Sequence, residues 1–235
     1  MRILVTNDDG IHARGLQQLV TLAKDFGEVC VFAPAEKCSG LSRAITVAGT
    51  LQVKPIQMPD VRMAYSISGT PADCVRMAMN CILDQKPDLV LSGINNGFNL
   101  GRDIVYSGTI AAAMEGAEAG IRSVAFSQPP EYSFDTAAAY FPIIMNAVLS
   151  GSGANHLLTN VNFPACSADE CRGIMWDAKL SSQYLYEDNC KKTAFPDGSM
   201  QLDISAVHCR IKEDGSDITA VMNRYISVGS AFTEI

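Results

Sequence analysis

The chain has 235 residues, 48% of them hydrophobic, with a net charge of −7. That length suits one large α/β domain with an appended arm, and the acidic surface repels a long nucleic acid, with no Lys/Arg run to offset it. No long charge-free apolar run could span a bilayer. No basic stretch and apolar stretch of a secretory signal open the chain, and none of its eight cysteines forms a C-x-x-C pair; they read as reduced packing thiols of a cytoplasmic protein.

The run Arg2–Thr6 reads as a first strand that stops at the acidic turn Asn7-Asp8-Asp9-Gly10-Ile11-His12. Adjacent strand side chains point to opposite faces, so Asp8 and Asp9 can converge only where the backbone leaves extended geometry, which Gly10 permits. Converging carboxylates repel and favour a hard divalent cation such as magnesium or manganese between them. A solvated turn capping the next helix is the competing account. The spacing of Leu16, Leu19, Val20, Ala23 and Phe26 predicts a helix from Gly15 to Phe26, and Val29–Ala33 a buried strand. Ile45–Ile56 alternates weakly, as a hairpin or edge pair would, and Ala64–Ser68 is strand-like. A helix is expected from Pro71 to about Leu83, with Cys74 and Cys81 sharing its inner face.

Asp88–Ser92 reads as a core strand, Gly108–Ala119 as an alanine-rich helix and Ser123–Phe126 as a strand. Asp135–Leu149 then reads as an amphipathic helix, and His156–Phe163 as a further strand. Strands alternating with helices predict a mostly parallel, Rossmann-like sheet flanked by helices. Beyond Pro164, the stretches Gly173–Leu180, Met200–Arg210 and Asp217–Val228 look like strands with no helix between them. The expected organisation is one domain, with an α/β core over 1–164 and a β-rich extension over 165–235.

Ligands of such sheets sit beyond the carboxyl ends of the strands, and three more segments fall there. Glu36–Ser42 offers the Ser39 hydroxyl to a cation or phosphate; an ordinary loop serine is the alternative. Ser92–Gly101 holds three glycines and three asparagines; Asn95 and Asn96 can offer amide oxygens to a metal or amide hydrogens to phosphate, or serve a simple turn. Tyr106-Ser107-Gly108-Thr109 places exposed amides and hydroxyls at a helix N-terminus, an anion site or plain capping. No G-x-G-x-x-G, Walker motif, G-x-S-x-G or H-E-x-x-H occurs. Combined, these segments read as a cation held by Asp8, Asp9, Ser39 and an asparagine, with a phosphate at the Ser-Gly-Thr helix end. That is the equipment of phosphomonoester hydrolysis.

The order of these motifs resembles the SurE family, the stationary-phase survival proteins. The stretches that carry the likeness are Arg2–Ala13, Ala33-Pro34 with Ser39-Gly40, Gly69–Val75, Ser92–Gly97, Asn99–Gly101, Tyr106–Gly116 and Asn160–Pro164. The resemblance implies a metal-dependent nucleotidase acting on nucleoside 5′- and 3′-monophosphates, in some members also on short polyphosphate. It implies one divalent ion per subunit, Mn²⁺ or Mg²⁺, on Asp8, Asp9, Ser39 and Asn95, and substrate phosphate around Asn96, Ser107, Gly108 and Thr109. Asp8, Asp9 and Asn96 are the expected catalytic residues. The resemblance also implies a homodimer or homotetramer joined through the C-terminal arm, and a small nucleotide as the only other partner. The sequence departs from the family pattern at Arg14, where proline is usual, at Arg224, and at Gly229-Ser230. A receiver-like binding module without turnover is the alternative; it would need an Asp ending the third core strand and a Lys ending a later one, and the chain has Ser92-Gly93 and Ser127 there.

Overall fold

The computed structural model describes residues 1–152, 156–209, 211 and 213–231. Strand β1 (Arg2–Thr6) is followed by α1 (Arg14–Ala23), β2 (Glu28–Pro34), β3 (Val53–Pro55), β4 (Met63–Ile67) and α2 (Pro71–Met77). The chain continues through β5 (Leu89–Asn96), a short 3-10 turn over Gly101–Tyr106, α3 (Gly108–Glu118), β6 (Arg122–Gln128), α4 (Asp135–Ser150) and β7 (Leu158–Asn162). It ends with β8 (Ile174–Trp176), β9 (Tyr186–Ala194), β10 (Met200–His208), α5 (Asp217–Met222) and β11 (Ile226–Ser230).

Nine strands form one sheet in the order β3-β4-β2-β1-β5-β6-β7-β11-β8. From β4 to β7 every neighbouring pair is parallel, and only the pairings of β3 with β4 and β11 with β7 are antiparallel. A parallel sheet is covered on both faces, which is why its strands read as continuous apolar runs. Ile3, Leu4 and Val5 of β1 are all fully buried. One face packs Ile3 and Val5 against Leu16, Leu19 and Val20 of α1 and Phe141, Ile144 and Val148 of α4. The other packs Leu4, Phe32 and Val90 against Cys74 and Val75 of α2 and Ala112 of α3. No helix among the described residues is long and apolar enough to cross a membrane.

The chain winds outward from β1 to β2 and β4, then returns to β5 on the opposite side of β1. Connections therefore diverge between β1 and β5, leaving a crevice at their carboxyl ends, where such sheets bind ligands. The acidic turn follows β1 and the Asn95-Asn96 pair ends β5, so the fold delivers both to that crevice.

Several elements differ from the sequence reading. The expected 71–83 helix is α-helical only to Met77 and continues as a π-helical turn over Ala78–Ile82; the changed winding leaves Cys74 buried and Cys81 exposed, not on one inner face. The stretch 217–228, read as a strand, begins as α5 and becomes strand only at Ile226. Its start is fixed by Ser216, whose hydroxyl accepts the Thr219 amide while Thr219 returns a bond to the Ser216 amide. Helix is thus present after Pro164. Of 173–180 only Ile174–Trp176 is strand, and β5 runs on through Asn96 with a register shift between Ser92 and Asn95. The weak alternation at 45–56 resolves to the three-residue edge strand β3. Arg210, the expected end of a strand, lies outside the described residues. β9 and β10 form a separate antiparallel hairpin, while β8 and β11 extend the main sheet.

Candidate active site

The acidic turn is fastened before any ligand arrives. Asn7 Nδ2 donates to the Gly10 carbonyl at 2.9 Å, and Gly10 has φ +98°, a backbone conformation that side chains disfavour. The Ile11 amide donates to the Pro34 carbonyl at 2.8 Å, and the Cys38 amide to the Asp8 carbonyl at 2.7 Å. The second bond sets the Ser39 loop beside the turn.

Asp8 is only 4% exposed, and Thr109 Oγ1 donates to its Oδ1 at 2.6 Å. Gly108 makes this approach possible: a Cβ there would lie 2.9 Å from Asp8 Cβ and 3.1 Å from its Oδ2. The Asp8 carboxyl is pushed up to about 6: burial raises it most, the Thr109 hydrogen bond partly offsets that, and the charge of Asp9 adds to the rise. A carboxylate this dry is costly unless a cation neutralises it.

Asp9 faces the end of β5. The Asn96 amide donates to its Oδ2 at 2.9 Å, and Lys37 Nζ lies 3.2 Å from its Oδ1. Asn95 Nδ2 donates to the Gly97 carbonyl at 2.9 Å, a bond that fixes the amide and does not use its Oδ1. The third asparagine of the segment, Asn99, is structural. Its Nδ2 donates to Ser127 Oγ at 2.7 Å, and its carbonyl accepts Asn160 Nδ2 at 2.8 Å in a buried network under the loop.

Ser107 caps α3, its Oγ accepting the Ile110 amide at 3.1 Å. Capping and anion binding are therefore not alternatives here, because they use different atoms. The Ser107 O–H and the first helical amides, those of Gly108 and Thr109, stay outside the helix ladder. Ser39 lies on an exposed turn next to Cys38. Beyond it the loop is stitched to the approach to α3: the Ser42 amide and hydroxyl donate to the Tyr106 and Val105 carbonyls, at 3.0 and 2.7 Å. Arg43 Nε then donates to Glu115 at 2.7 Å, and the same guanidinium pairs with Glu118.

The structure thus joins Asp8 to Thr109 and Asp9 to Asn96 directly, and brings in Ser39 through its neighbour Cys38. Among the described residues no three His, Cys, Asp or Glu side chains converge as a metal-binding group. A cation here would instead rest on two carboxylates, the Ser39 hydroxyl and the Asn95 amide oxygen, an all-oxygen set suited to a hard divalent ion. Three further residues have roles the sequence reading did not assign. Lys37 pairs with Asp9, while Gln128 and Tyr132 line a cleft of about 370 Å³ that opens from Asp9, Asn95 and Asn96. The signal for the cleft was Gln128-Pro129-Pro130, where a core strand ends in two prolines at the same sheet edge.

Fold and site together define a doubly wound α/β protein with oxygen donors at its switch point and a helix N-terminus beside them. A family model described as Survival protein SurE matches residues 3–185. A protein of Brucella canis named 5'-nucleotidase SurE is 38% identical over 97% of this chain and 91% of its own. Another of that name, from Clostridium botulinum, is 35% identical over 97% and 91%. The crystal structure of the SurE protein from Aquifex aeolicus is similar with a TM-score of 0.81 at 35% identity, covering 97% of this chain and 92% of that one. The chain belongs to the SurE family.

Proposed function

We propose that this chain hydrolyses nucleoside 5′-monophosphates, and with them 3′-monophosphates, to nucleoside and inorganic phosphate, using one divalent ion per subunit. The relatives' printed name, 5'-nucleotidase SurE, supports the reaction class. The observation that carries the reading is the Thr109–Asp8 hydrogen bond, which fixes the acidic turn against the N-terminus of α3. A cation on the turn and a phosphate on the helix end then meet at one point.

Asp8, Asp9, Ser39 and Asn95 would hold Mn²⁺ or Mg²⁺, which when bound supplies charge against the phosphoryl oxygens and acidifies water. The Gly108 and Thr109 amides and the Ser107 hydroxyl orient the phosphoryl group, with the helix dipole favouring its charge. Asn96 donates its side-chain amide to a non-bridging oxygen. Asp9, through the carboxylate oxygen that the cation would not hold, takes the proton of the attacking water as the water oxygen bonds to phosphorus; the ester P–O bond breaks with its electron pair on the nucleoside oxygen, which takes a proton from solvent. In this reading Asp8 acts as a ligand and not as a nucleophile: Asp8 and Asp9 are adjacent in the chain, a spacing that suits two ligands better than a nucleophile and its acid.

The same corner would accept a terminal phosphate of short polyphosphate. The β9–β10 hairpin, which leaves Leu202 and Ile204 51% and 69% exposed, offers the surface for a homodimer or homotetramer. The eight free thiols fit a cytoplasmic setting. The test is phosphate release from AMP with Mn²⁺ or Mg²⁺, before and after chelation. Release should stop with chelator and return with metal. Undiminished turnover in metal-free protein, or a phosphoenzyme trapped on Asp8, overturns the mechanism.

A further inference from the structure

The geometry points to the cleft beyond Asp9 and Asn96 as the nucleobase site, with Tyr132 the residue that stacks on the base; this rests on the nucleotidase reading above. Asp9, Asn95 and Asn96 belong to both the acidic corner and the cleft, so an ester whose phosphate sits at the corner extends its leaving group into the cleft. Its volume of about 370 Å³ lies in the range of small-ligand sites. Pro129, Pro130, Tyr132 and Phe134 form part of its wall, and Tyr132 is 41% exposed. A phosphate needs none of these side chains. A planar heterocycle does, because aromatic stacking is the sequence-tolerant way a protein holds a base.

The wall is also tied to the phosphate corner. Gln128 is 4% exposed, and its Nε2 donates to the Tyr132 carbonyl at 3.1 Å and the Ser133 carbonyl at 3.4 Å. Its backbone carbonyl accepts the Gly97 amide at 2.8 Å, one residue past Asn96. One buried residue thus fixes the aromatic loop and the asparagine loop in register, which makes Gln128 a positioning residue for Tyr132. Stacking grows with ring area, so purine nucleotides are favoured over pyrimidine nucleotides, and all nucleotides over esters that lack a base.

The experiment compares AMP, UMP and ribose 5-phosphate, which carries the phosphate and sugar without a base. In Tyr132→Ala, kcat/KM for AMP should fall about tenfold through KM, the loss expected for one stacked base. Ribose 5-phosphate should change less than twofold, the AMP-over-UMP preference should shrink, and Tyr132→Phe should restore it. Gln128→Leu should lower the AMP to ribose 5-phosphate ratio in the same sense, whereas a purely structural role would lower both alike. Equal losses on AMP and ribose 5-phosphate in Tyr132→Ala, or no loss on either, overturn the assignment while leaving the nucleotidase reading intact. A second readout does not need turnover: saturation-transfer NMR with adenosine and metal-free protein should show contact at the base protons in wild type and Tyr132→Phe but not in Tyr132→Ala. Contact without hydrolysis of any ester would sink the nucleotidase reading alone. No contact in wild type would sink the base site.

Discussion

Thr109 Oγ1 and Asp8 Oδ1, 101 positions apart in the chain, meet at 2.6 Å in the buried floor of the crevice. A hydrogen bond to a buried charged group contributes about 1.5–3 kcal/mol, and here it also favours the ionised form of Asp8. Thr109→Val keeps the shape and removes the donor. Divalent-metal affinity and kcat should each fall about tenfold, with the thermal midpoint little changed because a desolvated charge without its donor can protonate instead. Asp8→Asn should abolish turnover and leave the fold intact, read by phosphate release and circular dichroism. Near-normal turnover in Asp8→Asn would remove Asp8 from the site.

Gly108 tests the same contact by volume. Alanine at an early helical position is ordinarily better than glycine by about 0.5–1 kcal/mol. At this position the new Cβ would meet Asp8 Cβ at 2.9 Å, inside contact distance, and overpacking costs about 1–3 kcal/mol. The clash wins. Gly108→Ala should lower stability in urea titrations and displace Asp8, cutting activity by more than the stability loss explains. A stabilised, fully active variant would show that the acidic turn yields easily.

Lys37 occupies the oxygen of Asp9 that a cation would use, at 3.2 Å, on a side chain 57% exposed. The Asp9 side chain is itself only 8% exposed, but the ammonium stays largely in water and the pair contributes about 1 kcal/mol, so a divalent ion, with twice the charge, displaces it. Lys37→Gln should tighten Mn²⁺ binding by up to about fivefold in calorimetry, with little effect on stability. Weaker binding in the variant would mean that Lys37 assists the ion instead of competing with it.

The α/β core was legible because parallel strands buried on both faces must be apolar, and Ile3–Val5 and Leu89–Leu91 are. The acidic turn was legible because only a few residues can follow a strand with two acids and then a glycine. What escaped was set by pairing and local winding. β9 carries the polar run Tyr186–Ala194 and is a strand only because β10 pairs with it in unbroken register. α5 was misread because Ile218, Thr219 and Val221 are β-branched, although Ser216 and Thr219 held the capping signal. The asparagines of 95–99 could not be sorted by sequence: the difference between Asn96 at Asp9 and Asn99 in its buried network lies in partners 28 or more positions away.

Asp73 ties the Ser39 loop to α2 and makes that tie sensitive to acid. Its carboxylate, on a side chain with no exposure, accepts the Thr46 amide at 2.9 Å, the Thr46 hydroxyl at 2.7 Å and the Thr70 amide at 3.2 Å. Burial pushes its pKa up, but the bonds from Thr46 and Thr70 outweigh that and hold it below the ordinary carboxylate value. A depressed folded pKa means stability fully present above the unfolded value, near 3.8, and lost as pH falls through the lower folded one. Urea titrations of the wild type should therefore lose stability steeply below pH 4, and Asp73→Asn should flatten that slope. At pH 7 the variant should be less stable by about 1–3 kcal/mol, since Thr46 and Thr70 donors lose a charged acceptor. Because the loop between Cys38 and Thr46 carries Ser39, the same variant should bind Mn²⁺ more weakly than wild type. An unchanged acid slope in Asp73→Asn would assign the titration to another carboxylate and detach this loop from the pH response.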